Sequence, residues 1–214
     1  FRRVLFRSLL ENLHVLLSDW AGHVEVLERK VARTFDDEDR KRLLHTIGDS
    51  QRDQLSNPAL AISAFRRALD LDPADVFALE ALDGLYTGAG DAAELAGVLG
   101  QRLAIEGTPA VRRDTALRLG RLWEKDLNDP QQAIDAYRRC LDDAPTDATA
   151  ILALERLYQQ RELWDELQEN LRTQVALATD DRSRAPLLLR LGELQATHLG
   201  DPSGALETWR EVLA

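Results

Sequence analysis

A single thiol, four imidazoles, a glycine-rich turn and a run of acids are the parts of this 214-residue sequence that could do chemistry. Cys140 with His198 would supply a nucleophile and its base, the pairing that activates a thiol. Cys140, however, fills a position that recurs at equal steps along the chain, as Ala68 before it and Val212 after it, so it reads as a packing thiol. His14, His23, His45 and His198 show neither an HExxH pattern nor an i, i+4 pair, which leaves no zinc-ligand spacing. Gly88-Ala89-Gly90 lacks the Gly-Lys-Ser/Thr ending that cradles phosphate and follows a helical pattern rather than a strand; it reads as a turn. Asp36-Asp37-Glu38-Asp39 lacks the alternating ligands and the glycine of a calcium loop. Four acids opening a helix instead complement the positive end of its dipole. The sequence therefore carries no catalytic constellation, no metal site and no cofactor motif.

A set of cations survives the same scrutiny. Arg118, Arg121 and Lys125 fall at i, i+3 and i+7, which places them on one stripe of a helix. Arg156 stands at the position of Arg121 in the next helical pair, and Arg190 stands at the position of Arg118 in the pair after that. Five cations converging in an otherwise acidic chain would suit an acidic or carboxylate-ended peptide, because Arg grips a carboxylate with two charge-assisted hydrogen bonds. The plainer alternative is a solvated face. Asp114 stands at i−4 from Arg118, Glu124 and Glu193 are close in sequence, and exposed pairs of this kind contribute only about 0.2–1 kcal/mol.

The elements that must carry these residues follow from a repeat. Asn57-Pro58, Asp129-Pro130 and Asp201-Pro202 recur with a period of 72, as do Gly48, Gly120 and Gly192, and Phe65, Tyr137 and Trp209. The chain is thus about three copies of one unit, 2–73, 74–145 and 146–214, and each copy splits into two helical hairpins. An Asn or Asp that can accept free amide protons, followed by Pro at the first helical position, marks helix starts at Asn57, Asp129 and Asp201. Trp20, Trp164 and Trp209 fall at apolar positions of the repeat and read as core. No run of apolar residues reaches membrane-spanning length. With 27 basic against 37 acidic residues the formal charge is −10, which opposes binding to phosphate backbones, so nucleic acid is not expected as a partner.

The first hairpin of each copy resembles the tetratricopeptide repeat. It has Leu119-Gly120, then Trp123, Ala133, Tyr137, the small Cys140 and the closing Pro145, and Gly48, Ala61, Phe65, Ala68 and Pro73 repeat that series. The second hairpin departs, with Asp83 and Glu155 in place of Gly and Leu95 and Leu167 in place of the small Ala. The resemblance implies an all-α, right-handed α-solenoid of about six antiparallel hairpins, with the first helix of each pair lining an inner groove. It turns the stripe of Arg118, Arg121 and Lys125, with Arg156 and Arg190, toward that groove. The Lys and Asn positions of the family's carboxylate clamp hold a mixed set here, including Arg42, His45, Asp49, Glu80 and Leu117, with Asn12 as the one Asn.

The resulting expectation is a single solenoid over 1–214, cut from a longer repeat protein since it opens at Phe1 without Met. It is expected to be a non-catalytic scaffold that binds a protein or peptide segment on its concave face. Self-association through terminal hairpins that carry Trp209, Val212 and Leu213 follows from the same reading. A spacer within a longer array is the competing architecture, and an RNA-binding helical repeat a weaker one. Compartment is left open.

Overall fold

The computed structural model describes residues 13–213; Asn12, Ala214 and the apolar positions Val4, Leu5, Leu9 and Leu10 lie outside the described residues. Among the described residues there are eleven α-helices and no strand. They are α1 (Trp20–Val31), α2 (Asp37–Asp49), α3 (Pro58–Leu71), α4 (Val76–Ala89) and α5 (Ala92–Ile105). After these come α6 (Pro109–Lys125), α7 (Pro130–Asp143), α8 (Ala148–Gln160), α9 (Trp164–Leu177), α10 (Asp181–Thr197) and α11 (Pro202–Glu211). Residues 13–16 add a helical turn ahead of α1, and a π-helical stretch, Ser50–Gln54, extends α2. The all-helical repeat fold expected from the helical periodicity is the fold that forms. The chain divides into two compact units, Phe1–Ile105 and Glu106–Ala214, and the boundary falls between the two hairpins of the second copy of the repeat.

The expected helix starts are the observed ones. Asn57, Asp129 and Asp201 each accept a hydrogen bond from a backbone N–H of the first turn, from Leu60 (3.2 Å), Gln132 (3.1 Å) and Gly204 (2.9 Å), and Pro follows each cap. Such a cap contributes about 1 kcal/mol. The turn ahead of each is closed by one further bond, as the N–H groups of Asn57, Asp129 and Asp201 donate to the carbonyls of Gln51, Trp123 and Gln195 at 2.7, 2.8 and 2.9 Å. To make that turn, the residue before the cap adopts a left-handed backbone. It is Ser56 (φ 50°), Asn128 (φ 51°) and Gly200 (φ 63°) in the three copies. A second left-handed position recurs at Ser18 (φ 55°), Gly90 (φ 69°) and Glu162 (φ 55°). Only one copy of each turn uses Gly, so the others hold a conformation that L-residues resist.

Within the first hairpin of each copy, the recurring glycine serves the aromatic residue opposite it. A side chain at Gly48 would collide with the ring of Phe65, at Gly120 with Tyr137, and at Gly192 with Trp209. The aromatic therefore lies directly on its partner helix inside one hairpin, and Phe65 also reaches the next pair, its ring 6.2 Å from that of Phe77. Phe65 and Tyr137 are almost fully buried, each worth about 1.5–3 kcal/mol of apolar burial. Around them pack Ala61, Ala64 and Ala68 in the first unit and Ala133, Ala136 and Cys140 in the second. The tryptophans depart from the expected core placement: Trp20, Trp164 and Trp209 are only half-buried. Trp209 keeps its indole N–H on the carbonyl of Leu189 (3.3 Å), because an indole donor near the surface needs a partner. Val212 beside it is half-buried and Leu213 is exposed.

Candidate functional site

The second unit carries all five cations singled out from the sequence, on the first helices of its three hairpins, α6, α8 and α10. Their relative placement is set by what caps and clasps these helices. Asp147 caps α8 by accepting from the N–H of Ala150 (2.9 Å), and Arg113 of α6 donates its Nε to the same carboxylate at 2.7 Å. Burial alone would raise the Asp147 carboxyl, but the Ala150 amide and the Arg113 guanidinium together outweigh it and hold it below the ordinary carboxylate range. Arg112 fixes the loop ahead of α8 by holding Asp143 (Nε to Oδ2 2.9 Å). In the first unit, His45 of α2 meets Asp75, the cap of α4, and Lys41 holds Asp72 at 2.7 Å. Successive first helices within each unit are thus cross-linked by side chains that reach from one to the next.

The cation stripe takes part in that cross-linking. Arg118, Arg121 and Lys125 are all exposed on α6. Arg156 of α8 reaches across to Glu124 of α6, and Arg190 of α10 pairs with Glu155 of α8. Glu124 also accepts from the Tyr137 hydroxyl (3.1 Å), and Glu155 from the side-chain amide of Gln174. Burial, reinforced by Glu124, pushes the Tyr137 phenol well above its ordinary value, so it stays a proton donor. The face is therefore a ladder in which cations alternate with carboxylates from helix to helix. Glu124 and Glu155 bring Arg156 and Arg190 into that ladder. Arg121 and Lys125 are exposed beside that ladder on α6. The five cations stand among four carboxylates, Glu124, Glu155 and the exposed Asp114 and Glu193, on a chain whose formal charge is −10.

The other residues weighed for chemistry are accounted for by packing. Cys140 is fully buried, and that burial pushes its thiol up to about 11, so it remains protonated at neutral pH. His14 bonds Asp19 (2.8 Å), the His45 ring lies 4.5 Å from that of Phe77, His23 is buried, and His198 stacks on Trp164 with centroids 3.9 Å apart. Among the described residues no three His, Cys, Asp or Glu side chains are grouped to hold a metal ion, and no helix is long and apolar enough to cross a membrane. Asp36 caps α2 through the N–H of Asp39 (2.9 Å), the helix-opening role expected of that acidic run.

A second feature escaped the sequence reading. Between α7 and α9, over α8, lies a cleft of about 430 Å³ lined by Arg138, Leu141, Ile151, Leu154, Tyr158 and Glu166 among others. Arg138 donates its Nε to the Tyr158 hydroxyl (2.9 Å), rides 5.4 Å from that ring's centroid and stands 3.7 Å from Glu166. The first unit repeats the ring contact and the carboxylate pairing at the equivalent positions, one period earlier. Arg66 lies 5.6 Å from the Tyr86 ring centroid and pairs with Glu94. The Tyr86/Tyr158 spacing is legible in the sequence; the matching Arg66/Arg138 and Glu94/Glu166 spacings were the signal that could have found it.

Residues 114–147 and 150–185 each match a family model described as a tetratricopeptide repeat, which places one match on α6–α7 and the next on α8–α9. No curated protein matches the chain. Among solved structures it is similar to a tetratricopeptide repeat protein from Parabacteroides merdae, at 18% identity over 95% of this chain and 76% of that one, TM-score 0.45. It is similar also to MamA, at 16% identity over 91% of this chain and 94% of that one, TM-score 0.44. A third is YrrB, described as a tetratricopeptide repeat protein with an unusual peptide-binding site, at 15% identity over 89% and 92%, TM-score 0.45.

Proposed function

We propose that this chain, a tetratricopeptide-repeat protein, is a non-catalytic scaffold whose second unit holds an acidic or carboxylate-ended protein segment on the face of α6, α8 and α10. The observation that carries the reading is the exposed pair Arg121 and Lys125, standing beside the Glu124–Arg156 rung of an otherwise acidic chain. An incoming carboxylate can meet Arg121 and Lys125 while Glu124 keeps Arg156 in place. Arg121 offers the two-bonded grip, and Lys125 adds a point charge. Arg118 on the same stripe and Arg190 at the far rung extend the field in which the segment would lie. The Glu124–Arg156 and Glu155–Arg190 rungs link α6 to α8 and α8 to α10 along this face.

The competing reading, a spacer inside a repeat array, draws on the same ladder, since a face whose charges neutralise one another needs no ligand. Fluorescence anisotropy with a labelled Asp/Glu-rich peptide, free or amidated at its C-terminus, separates the two. The native chain should bind the acidic peptide with an affinity that falls as salt rises, and Arg121→Glu, Lys125→Glu should weaken it about tenfold or more. Arg156→Gln tests the rung without adding a repelling charge. Equal binding by the native chain and the Arg121→Glu, Lys125→Glu variant, or binding by neither, favours the spacer.

A further inference from the structure

We propose that the cleft between α7 and α9 is a second docking site, for a partner segment that carries an apolar residue flanked by Lys or Arg. It opens between the second helices of two successive hairpins, with α8 as its base, whereas the cations of the other face are carried by first helices alone, so one chain could hold two segments of opposite charge. At about 430 Å³ the cleft is within the roughly 300–1,000 Å³ range of ligand sites. Its floor is apolar, formed by Leu141, Ile151 and Leu154. Its rim carries the carboxylates of Asp142, Glu166 and Glu169 against the single cation Arg138.

The sign of the occupant follows from what Arg138 is doing. Its guanidinium donates to the Tyr158 hydroxyl and lies on that ring, with Glu166 at 3.7 Å, and the ring contact and the acid neighbour recur at Arg66, Tyr86 and Glu94 in the first unit. The clasp is thus a fixture of the repeat that braces one hairpin on the next, not a receptor for an anion. Asp142 and Glu169, both exposed, are left to set the charge of the rim. Glu169 has Arg172 at 3.7 Å, but both side chains are more than half exposed, and such a pair holds little. Two lining positions also depart from the repeat. Gly97 and Val98 of the first unit become Glu169 and Asn170 in the second, where Asn170 donates to the Ile151 carbonyl at 3.0 Å beneath the cleft. Packing shared by both units does not demand a carboxylate at 169. A cation–apolar–cation segment would seat its apolar side chain on the floor and its charges on Asp142 and Glu169.

The test uses the full chain and a labelled short peptide alternating Lys and Leu, with its Lys–Ala counterpart as the control for charge alone. The Lys–Leu peptide should bind the native chain, and bind it more tightly than the Lys–Ala peptide. Asp142→Lys, Glu169→Lys should weaken it about tenfold or more at low salt. Thr173→Phe, which fills the cleft from its wall without changing charge, should block it as well. Glu207→Lys, an exposed reversal on α11, should leave it unchanged. Equal binding of both peptides, loss on Glu207→Lys as large as on Asp142→Lys, Glu169→Lys, or no binding by the native chain would each overturn the proposal. The acidic-peptide face is read with separate variants and stands or falls on its own.

Discussion

Replacing Gly120 by Ala puts two opposed effects on one carbon atom. In a helix interior the exchange favours folding by about 1 kcal/mol, because Ala loses less backbone entropy. Here the new Cβ would lie 2.7 Å from Cε1 of Tyr137 and 2.8 Å from Cδ1 and Cζ, where carbon atoms normally rest about 3.5–4.0 Å apart. The ring has to move by most of an ångström, yet it is only 1% exposed and its hydroxyl is tied to Glu124 at 3.1 Å. Overpacking of this kind costs about 1–3 kcal/mol. Straining a hydrogen bond to a carboxylate costs about another 1 kcal/mol. The net expectation is a loss of about 2 kcal/mol. Gly97 of α5 supplies the control, being exposed with nothing within 4 Å of the position its Cβ would take. Gly97→Ala should stabilise by about 0.5–1 kcal/mol. Urea denaturation followed by far-ultraviolet circular dichroism reads both, and at about 2–4 °C per kcal/mol the thermal midpoints should separate clearly. A Gly120→Ala protein as stable as the parent, with Gly97→Ala behaving as expected, would refute the idea that the aromatic ring is why glycine stands there.

Glu162→Gly should stabilise the chain by about 1 kcal/mol, since Glu162 holds φ 55° at the turn position that Gly90 fills in the preceding copy; a lower denaturation midpoint would show that its side chain matters more than its backbone. Native Cys140 should resist a thiol-reactive dye at pH 8 and react at once in denaturant, because the thiol is buried and pushed up to about 11; fast reaction in the folded state would restore the nucleophile reading.

What the sequence alone determined was everything that repeats with a local cause. The helical spacing of apolar residues made every element a helix, and Asn57, Asp129 and Asp201 with their prolines set three starts to the residue, because a cap acts within one turn of itself. The small residues at 68 and 140 correctly made Cys140 a packing thiol. The left-handed residues Ser56, Asn128 and Glu162 carry no glycine of their own; only Gly200 and Gly90 at the equivalent positions of other copies mark them, and the closing bond of the turn goes with the positive φ. Tertiary structure alone decided the neighbours of the cations. The stripe of Arg118, Arg121 and Lys125 is a property of one helix, legible from i, i+3, i+7. That Arg156 lies on Glu124 and Arg190 on Glu155 depends on how far one hairpin advances along the next. The same advance opens the cleft beside Arg138, between residues of three helices that no single periodicity relates. Local hydrogen bonds are written in neighbouring residues, whereas side-chain encounters between hairpins are fixed by the packing of whole helices, and the charge of each face follows from those encounters.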